Sequence, residues 1–298
     1  MSEFKKIALE DGVLLRKYLV NDNNLSCEFS FGNNVLWNPG ERLEYQIVEE
    51  VLVYRMIFEE EIVYCTPDFR GKVCRIVHFI EADATSIGKK YSISCLNEKM
   101  MGELKDAFPE QYVFTTNRNQ SDYIYLVDKL AELKGGKYHK KKNHVNKFRK
   151  NYEFSYEEIG EYNIEECRAM KNLWMSKRET IDESLQVETK AIDMALDHYK
   201  EFGFTGGLIR VDGKVKAFTM GERLSSDTFV THFEKAMDDM DGLYAIINQQ
   251  FAQNTLQGNY VYVNREDDMG LEGLRQAKLS YYPEYVYDKY VARILERK

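Results

Sequence analysis

A chain of 298 residues exceeds the usual size of one hydrophobic core, so two domains or two halves of one fold are expected. Its 44% hydrophobic and 30% charged content is that of an ordinary globular protein. No stretch is long and apolar enough to span a bilayer, which leaves membrane contact only at the periphery.

The opening residues run into no apolar leader core. Five cysteines (Cys27, Cys65, Cys74, Cys95, Cys167), odd in number and never spaced Cys-x-x-Cys, fit reduced cytoplasmic thiols better than disulfides or a zinc site. His139 and His144 lie five apart and no His-Glu-x-x-His occurs, so no metal is expected.

In chain order, Glu44–Phe58 and Glu61–Cys65 read as strands, Lys72–Ile80 as a helix, Tyr91–Leu96 as a strand and Asn97–Ala107 as a helix. Thr85-Ser86-Ile87-Gly88-Lys89-Lys90 is a phosphate-loop candidate that reads more readily as a turn. Phe108-Pro109-Glu110-Gln111-Tyr112-Val113-Phe114 follows, and Tyr123-Ile124-Tyr125 reads as core. A helix with Leu126, Leu130 and Leu133 on one face ends at Gly135-Gly136. The division between halves, 1–135 and 136–298, is placed there.

The next segment is a basic run inside a chain of net charge −8. Lys137, Lys140, Lys141, Lys142, Lys147, Arg149 and Lys150 occur with two histidines and no acid, so the run is expected to hold an anion such as a phosphate. Tyr138, Val145, Phe148 and Tyr152 form one narrow apolar stripe of a helix, and a solvated helix docked by that stripe is the competing reading.

Beyond it come a strand at Phe154–Tyr156 and helices at Ile164–Lys177 (carrying Met170, Leu173 and Trp174) and Val187–Phe202 (Ile192, Ala195, Leu196, Tyr199 inward). Strands Phe204–Val211 and Val215–Glu222 flank an Asp212-Gly213 hairpin turn. Strand Phe229–Glu234, helix Leu243–Leu256, strand Tyr260–Val263, helix Leu271–Leu279 and strand Tyr285–Tyr290 complete the chain. Tyr282-Pro283-Glu284-Tyr285-Val286-Tyr287 echoes the segment at Phe108, which points to an internal duplication. Polar side chains crowd Asn264 to Asp268, after a strand, where open α/β sheets bind ligands. As scaffold, the same residues supply caps, close helix packing and surface cations.

The order of elements resembles the acyl-CoA N-acyltransferase (GNAT) fold, an α+β architecture with a splayed mixed sheet. Asn264–Pro283, Phe233-Glu234-Lys235-Ala236 and the Tyr138–Arg149 helix resemble the C-terminal catalytic domain of phosphatidylglycerol lysyltransferase and, more distantly, Fem-type aminoacyltransferases. The resemblance implies two tandem GNAT-like halves and transfer of an acyl or aminoacyl group to an amine or hydroxyl. It implies aminoacyl-tRNA as donor, with its phosphates on Lys140, Lys141, Lys142, Lys147 and Arg149. Glu234 ends the third strand, where acyltransferases of the resembled fold keep a general base, and strand alternation puts His232 on the same face; Arg265 and Lys278 are the candidates for binding a carboxylate or phosphate or stabilising the oxyanion. Asn264, Glu266, Asp267, Arg275 and Ser280 then line the acceptor, a small molecule or lipid head group, with Glu266 and Asp267 either holding the acceptor amine or orienting these cations. The competing role for Glu234 is a plain ion pair with Arg265 or Lys278.

CoA-binding members carry Arg/Gln-x-x-Gly-x-Gly/Ala at a helix N-terminus that grips the pyrophosphate. Here that place reads Glu234-Lys235-Ala236-Met237-Asp238-Asp239-Met240-Asp241-Gly242-Leu243, with one glycine and three aspartates. Three readings follow: aminoacyl transfer from tRNA, acetyl-CoA- or acyl-CoA-dependent N-acetyltransfer to a small amine, and non-catalytic RNA or anion binding on the same scaffold.

Overall fold

The computed structural model describes residues 3–38, 42–178, 180 and 182–295. The chain forms β1 (Lys5–Lys6), α1 (Gly12–Leu19), α2 (Phe31–Leu36), β2 (Leu43–Val48), β3 (Val51–Ile57), β4 (Glu61–Cys65), α3 (Val73–Ile87), β5 (Lys90–Leu96), α4 (Glu98–Ala107), β6 (Tyr112–Thr116) and β7 (Asp122–Leu126). It continues as α5 (Val127–Glu132), α6 (His139–Asn151), β8 (Phe154–Glu158), α7 (Ile164–Ser176), α8 (Glu183–Asp197), β9 (Thr205–Val211), β10 (Lys214–Arg223), β11 (Thr228–Ala236) and α9 (Leu243–Phe251). The last elements are β12 (Tyr262–Asn264), α10 (Glu272–Leu279), β13 (Tyr285–Tyr287) and β14 (Tyr290–Ile294).

Two compact units result, one of Met1–Asp122, Asp267–Gly270 and Tyr287–Lys298, the other of Tyr123–Glu266 and Leu271–Val286. They part at Asp122 and not at Gly135-Gly136, because β7 pairs with β12 and travels with the second sheet. Each unit holds a seven-stranded mixed sheet, in the orders β1-β2-β3-β4-β5-β14-β6 and β8-β9-β10-β11-β12-β7-β13. The orders match position for position, and in both the central pair is parallel, β4 with β5 and β11 with β12. Two tandem GNAT-like halves are therefore present, and each Pro-Glu echo leads into an edge strand followed by a strand that serves the other sheet.

Several elements differ from their sequence expectation for identifiable reasons. Glu44–Phe58 is a hairpin, β2 and β3, turned at Glu49 and Glu50, whose φ values of 48° and 67° belong to a turn usually marked by Asn-Gly. Tyr285–Tyr290 is likewise two strands, β13 and β14. Thr85–Lys90 straddles the end of α3, with Gly88 as a left-handed cap at φ 75°. A helix C-terminus carries partial negative charge, so this place is not a phosphate loop.

The first core gathers Val51, Tyr64, Ile76, Ile80, Ile93, Leu104 and Ala292. The second includes Tyr123, Tyr125, Phe229, Phe251 and Val263. The Val, Leu, Ile and Phe side chains among these contribute about 1.5–3 kcal/mol each by leaving water. Among the described residues no helix is long and apolar enough to cross a membrane.

Candidate active site in the second unit

Strands β11 and β12 pair only through Thr228–Val230 and Tyr262–Asn264. Beyond that, β11 continues on β10 alone to Ala236, and the opened carboxyl ends receive side chains from α6, α9 and the segment after α10.

Glu234 sits in this opening. Its Oε1 accepts from Arg265 Nη2 at 3.0 Å and its Oε2 from Asn248 Nδ2, on α9, at 3.2 Å. Both oxygens of the expected general base are thus engaged, and the ion pair with Arg265 is real. Arg265 Nη1 and Asn248 Oδ1 are buried and have no hydrogen-bond partner among the described residues. A vacant donor and a vacant acceptor therefore flank one carboxylate, at a cost that a ligand supplying both partners would offset. The Arg265 guanidinium lies 5.6 Å from the Tyr125 ring centre and 5.0 Å from that of Tyr281.

His232 does not join this group. Met220 faces Phe233 and Gly221 faces Thr231, so His232 is the extra residue of a bulge and the simple alternation with Glu234 is broken. Its Nε2 lies 3.1 Å from Glu222 and its Nδ1 2.8 Å from Glu266. Burial opposes the charge, but the bonds to Glu222 and Glu266 outweigh it and push the imidazole up to about 9. A ring already protonated at neutral pH and closed on both nitrogens is a structural cation, not a base.

The other expected residues separate into braces and site. Lys278 Nζ donates to the Arg265 carbonyl at 2.5 Å, and the buried Asn264 accepts from Glu266 N at 2.6 Å, so both shape the turn that carries Arg265. Glu266 is spent on His232. Asp267 accepts from Met269 N at 3.1 Å and falls in the first unit. Arg275 is half-buried on α10, and Ser280 bonds the Ala277 carbonyl at 2.5 Å.

The basic run forms α6 as expected, with Tyr138, Val145 and Phe148 buried. Lys140 and Lys142 are exposed; Lys147 pairs with Asp241 at 2.6 Å, and Arg149 reaches Gln249 at 3.3 Å. Lys141 departs from its neighbours. It is half-buried with its Nζ 4.0 Å from the Tyr281 ring centre, and burial, then Arg265, lower it to about 8 against the pull of Glu234. The spacing held a sign of this: Lys141 stands three residues after Tyr138 and four before Val145, in the gap of the apolar stripe.

Sequence reasoning also passed over Asn248, the first of three consecutive amides (Asn248, Gln249, Gln250) after the apolar start of α9, and Tyr281. It passed over Arg70-Gly71-Lys72 between β4 and α3, the first-unit counterpart of the pyrophosphate segment, because Val73 and Arg75 stand where the motif has glycine.

The helix N-termini test the fit to CoA. At α9, Asp238, Asp239 and Asp241 are each matched by Arg178, Lys177 and Lys147, at 2.9, 3.2 and 2.6 Å. Gly242 has φ 90°, and a Cβ there would lie 2.5 Å from the His144 carbonyl oxygen. The backbone of α6 thus packs directly against the start of α9, where the usual pyrophosphate would sit. At α3 the loop is basic, but Lys72 bonds the Glu49 carbonyl, Arg75 pairs with Glu49, and the glycines are missing. Neither end fits a CoA pyrophosphate in the usual way.

Comparison with known proteins bears on the whole chain. A crystal structure of a conserved protein of unknown function from Bacteroides thetaiotaomicron is 33% identical, with a TM-score of 0.90 over 99% of this chain and 100% of that one. L-PGS from Bacillus licheniformis is 15% identical, with a TM-score of 0.69 over 100% of this chain and 95% of its own, and so shares the fold. An uncharacterised protein of Mycoplasmoides gallisepticum is 24% identical over 189 residues; the match spans 60% of this chain and 58% of that relative's length. The family described as phosphatidylglycerol lysyltransferase, C-terminal, matches residues 23–293, and the chain belongs to it.

Proposed function

We propose that this chain, a transferase of the GNAT-like acyl or aminoacyl type, moves an aminoacyl group from an aminoacyl-tRNA to an amine or hydroxyl acceptor at the Glu234–Arg265 site. The observation that carries the reading is the position of α6. Its inner side packs on the start of α9, against CoA, while its outer side presents Lys140 and Lys142 to solvent, for a larger polyanion. The vacant Arg265 Nη1 stabilises the oxyanion that forms as the acceptor attacks the acyl carbonyl. Glu234 and Asn248 hold that guanidinium in place, and the vacant Asn248 Oδ1 receives an N–H of the donor's amino group or of the acceptor.

The test is a side-by-side titration of total tRNA charged with amino acids and of acetyl-CoA at physiological salt. The reading expects charged tRNA to bind and acetyl-CoA not to. Replacing Lys140 and Lys142 together by Ala should weaken tRNA and leave acetyl-CoA untouched. Stoichiometric acetyl-CoA binding without tRNA affinity would favour the N-acetyltransferase reading, with the basic Arg70-Gly71-Lys72 loop as the place to look.

A further inference from the structure

Lys141 is the one cation of the Lys137–Lys150 run that turns inward onto the site. Its ammonium rests on the face of Tyr281, a ring it shares with Arg265. Among the described residues no group accepts a hydrogen bond from its Nζ, whereas both oxygens of Glu234 are taken. Aminolysis or alcoholysis of an ester needs a group that removes the nucleophile's proton as the new bond forms. Glu234 is locked by Arg265 and Asn248, His232 is closed between two carboxylates, and Lys278 is tied to the Arg265 carbonyl.

We propose that Lys141 is the proton acceptor of the transfer reaction, placed for that task by the Tyr281 ring and the Arg265 guanidinium. The inference rests on the transferase reading above. In the step, the acceptor nitrogen or oxygen bonds to the acyl carbon and gives its proton to the neutral Lys141 amine. Arg265 holds the carbonyl oxygen as it becomes negative. The bond from the acyl carbon to the donor's ribose oxygen then breaks, and the Lys141 ammonium returns the proton to that leaving oxygen. No other reactant is required.

Among the described residues, the charged or titratable groups that face the amine are Arg265 after β12, Glu234 on β11 and Tyr281 after α10. Burial and Arg265 favour its neutral form, so a useful fraction of free amine exists near neutral pH. An ordinary lysine, at about 10.4, would offer almost none.

The experiment pairs two readouts. Trace acetylation with acetic anhydride across pH, read lysine by lysine by peptide mass spectrometry, needs no knowledge of the substrate. Lys141 is expected to react with a midpoint near pH 8, well below a free lysine standard. The second readout is the accelerated formation of aminoacyl hydroxamate from charged total tRNA and dilute hydroxylamine. Lys141→Arg keeps the charge but cannot accept a proton, and is expected to lose about a hundredfold in turnover. Donor affinity should stay within about twofold, because Lys141 is not the residue that meets the tRNA phosphates. Lys141→Met, which keeps the stem, should lose as much. Lys141→Arg at the wild-type rate, or labelling of Lys141 at the midpoint of the standard, overturns the assignment and leaves the transferase reading standing. A wild-type protein that accelerates nothing from charged tRNA overturns both.

Discussion

Each unit turns a lysine inward, and the two are treated in opposite ways. In the first unit, Lys289 donates to Glu28 at 2.7 and 2.8 Å and to Asp122 at 2.9 Å, with the Cys27 thiol at 3.8 Å. Burial would lower it, but Asp122, Cys27 and Glu28 raise it well above the ordinary lysine value. Ligand atoms of Cys27, Glu28 and Asp122 lie within 4.8 Å of one another, as around a metal, and the Lys289 ammonium takes that cation's place. In the second unit Lys141 has a ring, a neighbouring guanidinium and, among the described residues, no hydrogen-bonded carboxylate. A saturated buried cation is a strut, whereas an unsaturated one can exchange its proton.

The same contrast runs through the two opened strand ends. In the first sheet Leu96 faces Tyr290 and Ile93 faces Ala292, so Ser94 and Cys95 together oppose Val291, and Cys95 has φ 57°. In the second, Asn264 faces Ile124, while Arg265 and Glu266 share their backbone bonds with Tyr123, and Glu266 has φ 57°. The bulges correspond, so Ser94 stands where Arg265 stands and Cys95 where Glu266 does. The backbone device is present in both halves, but only the second carries a guanidinium on it.

Substitutions at matched positions can break this comparison. Arg265→Met should cost about a hundred- to a thousandfold in turnover, the size expected for loss of an oxyanion donor, while Ser94→Ala should cost nothing. Equal losses at the two positions would show that the halves are not specialised. Of comparable size is Lys289→Met, which strands two carboxylates and should lower unfolding stability by about 3–5 kcal/mol in urea titration. Turnover per folded molecule should stay unchanged, and a loss would make Lys289 more than a strut.

His232 predicts a pH dependence of similar kind. Its folded value of about 9 lies above the ordinary 6.5, so its contribution is complete below pH 6.5 and is lost as pH rises through 9. About 3 kcal/mol should disappear across that window, and His232→Gln should flatten the curve. The smallest expected effect is on the donor. Lys140→Ala with Lys142→Ala should weaken charged tRNA by about tenfold and reduce the salt slope by about 1.5. Fluorescence titration at several salt concentrations measures both.

Much of the fold was legible, because periodicity and turn chemistry speak locally. The basic helix with its buried Tyr138, Val145 and Phe148, the Asp212-Gly213 hairpin and the crowded Asn264–Asp268 turn all follow from residue type and spacing. What escaped depends on pairing. The bulge at His232 is set by the register of β10 against β11, so strict alternation misplaced that ring beside Glu234. Glu49 and Glu50 make a left-handed turn without glycine or asparagine, and no local signal announces it. Tyr285–Tyr290 looked like one strand because nothing local shows that β13 and β14 enter different sheets. Lys141 lay between these cases: its place on the apolar stripe was visible, and its meaning required Arg265 and Tyr281.

The most direct measurement is single-turnover transfer from charged total tRNA to hydroxylamine by wild type, Arg265→Met and Ser94→Ala, with acetyl-CoA as a parallel donor. Acceleration is expected from charged tRNA alone, retained in Ser94→Ala and lost in Arg265→Met. Acceleration from acetyl-CoA instead, or full activity in Arg265→Met, would contradict that expectation.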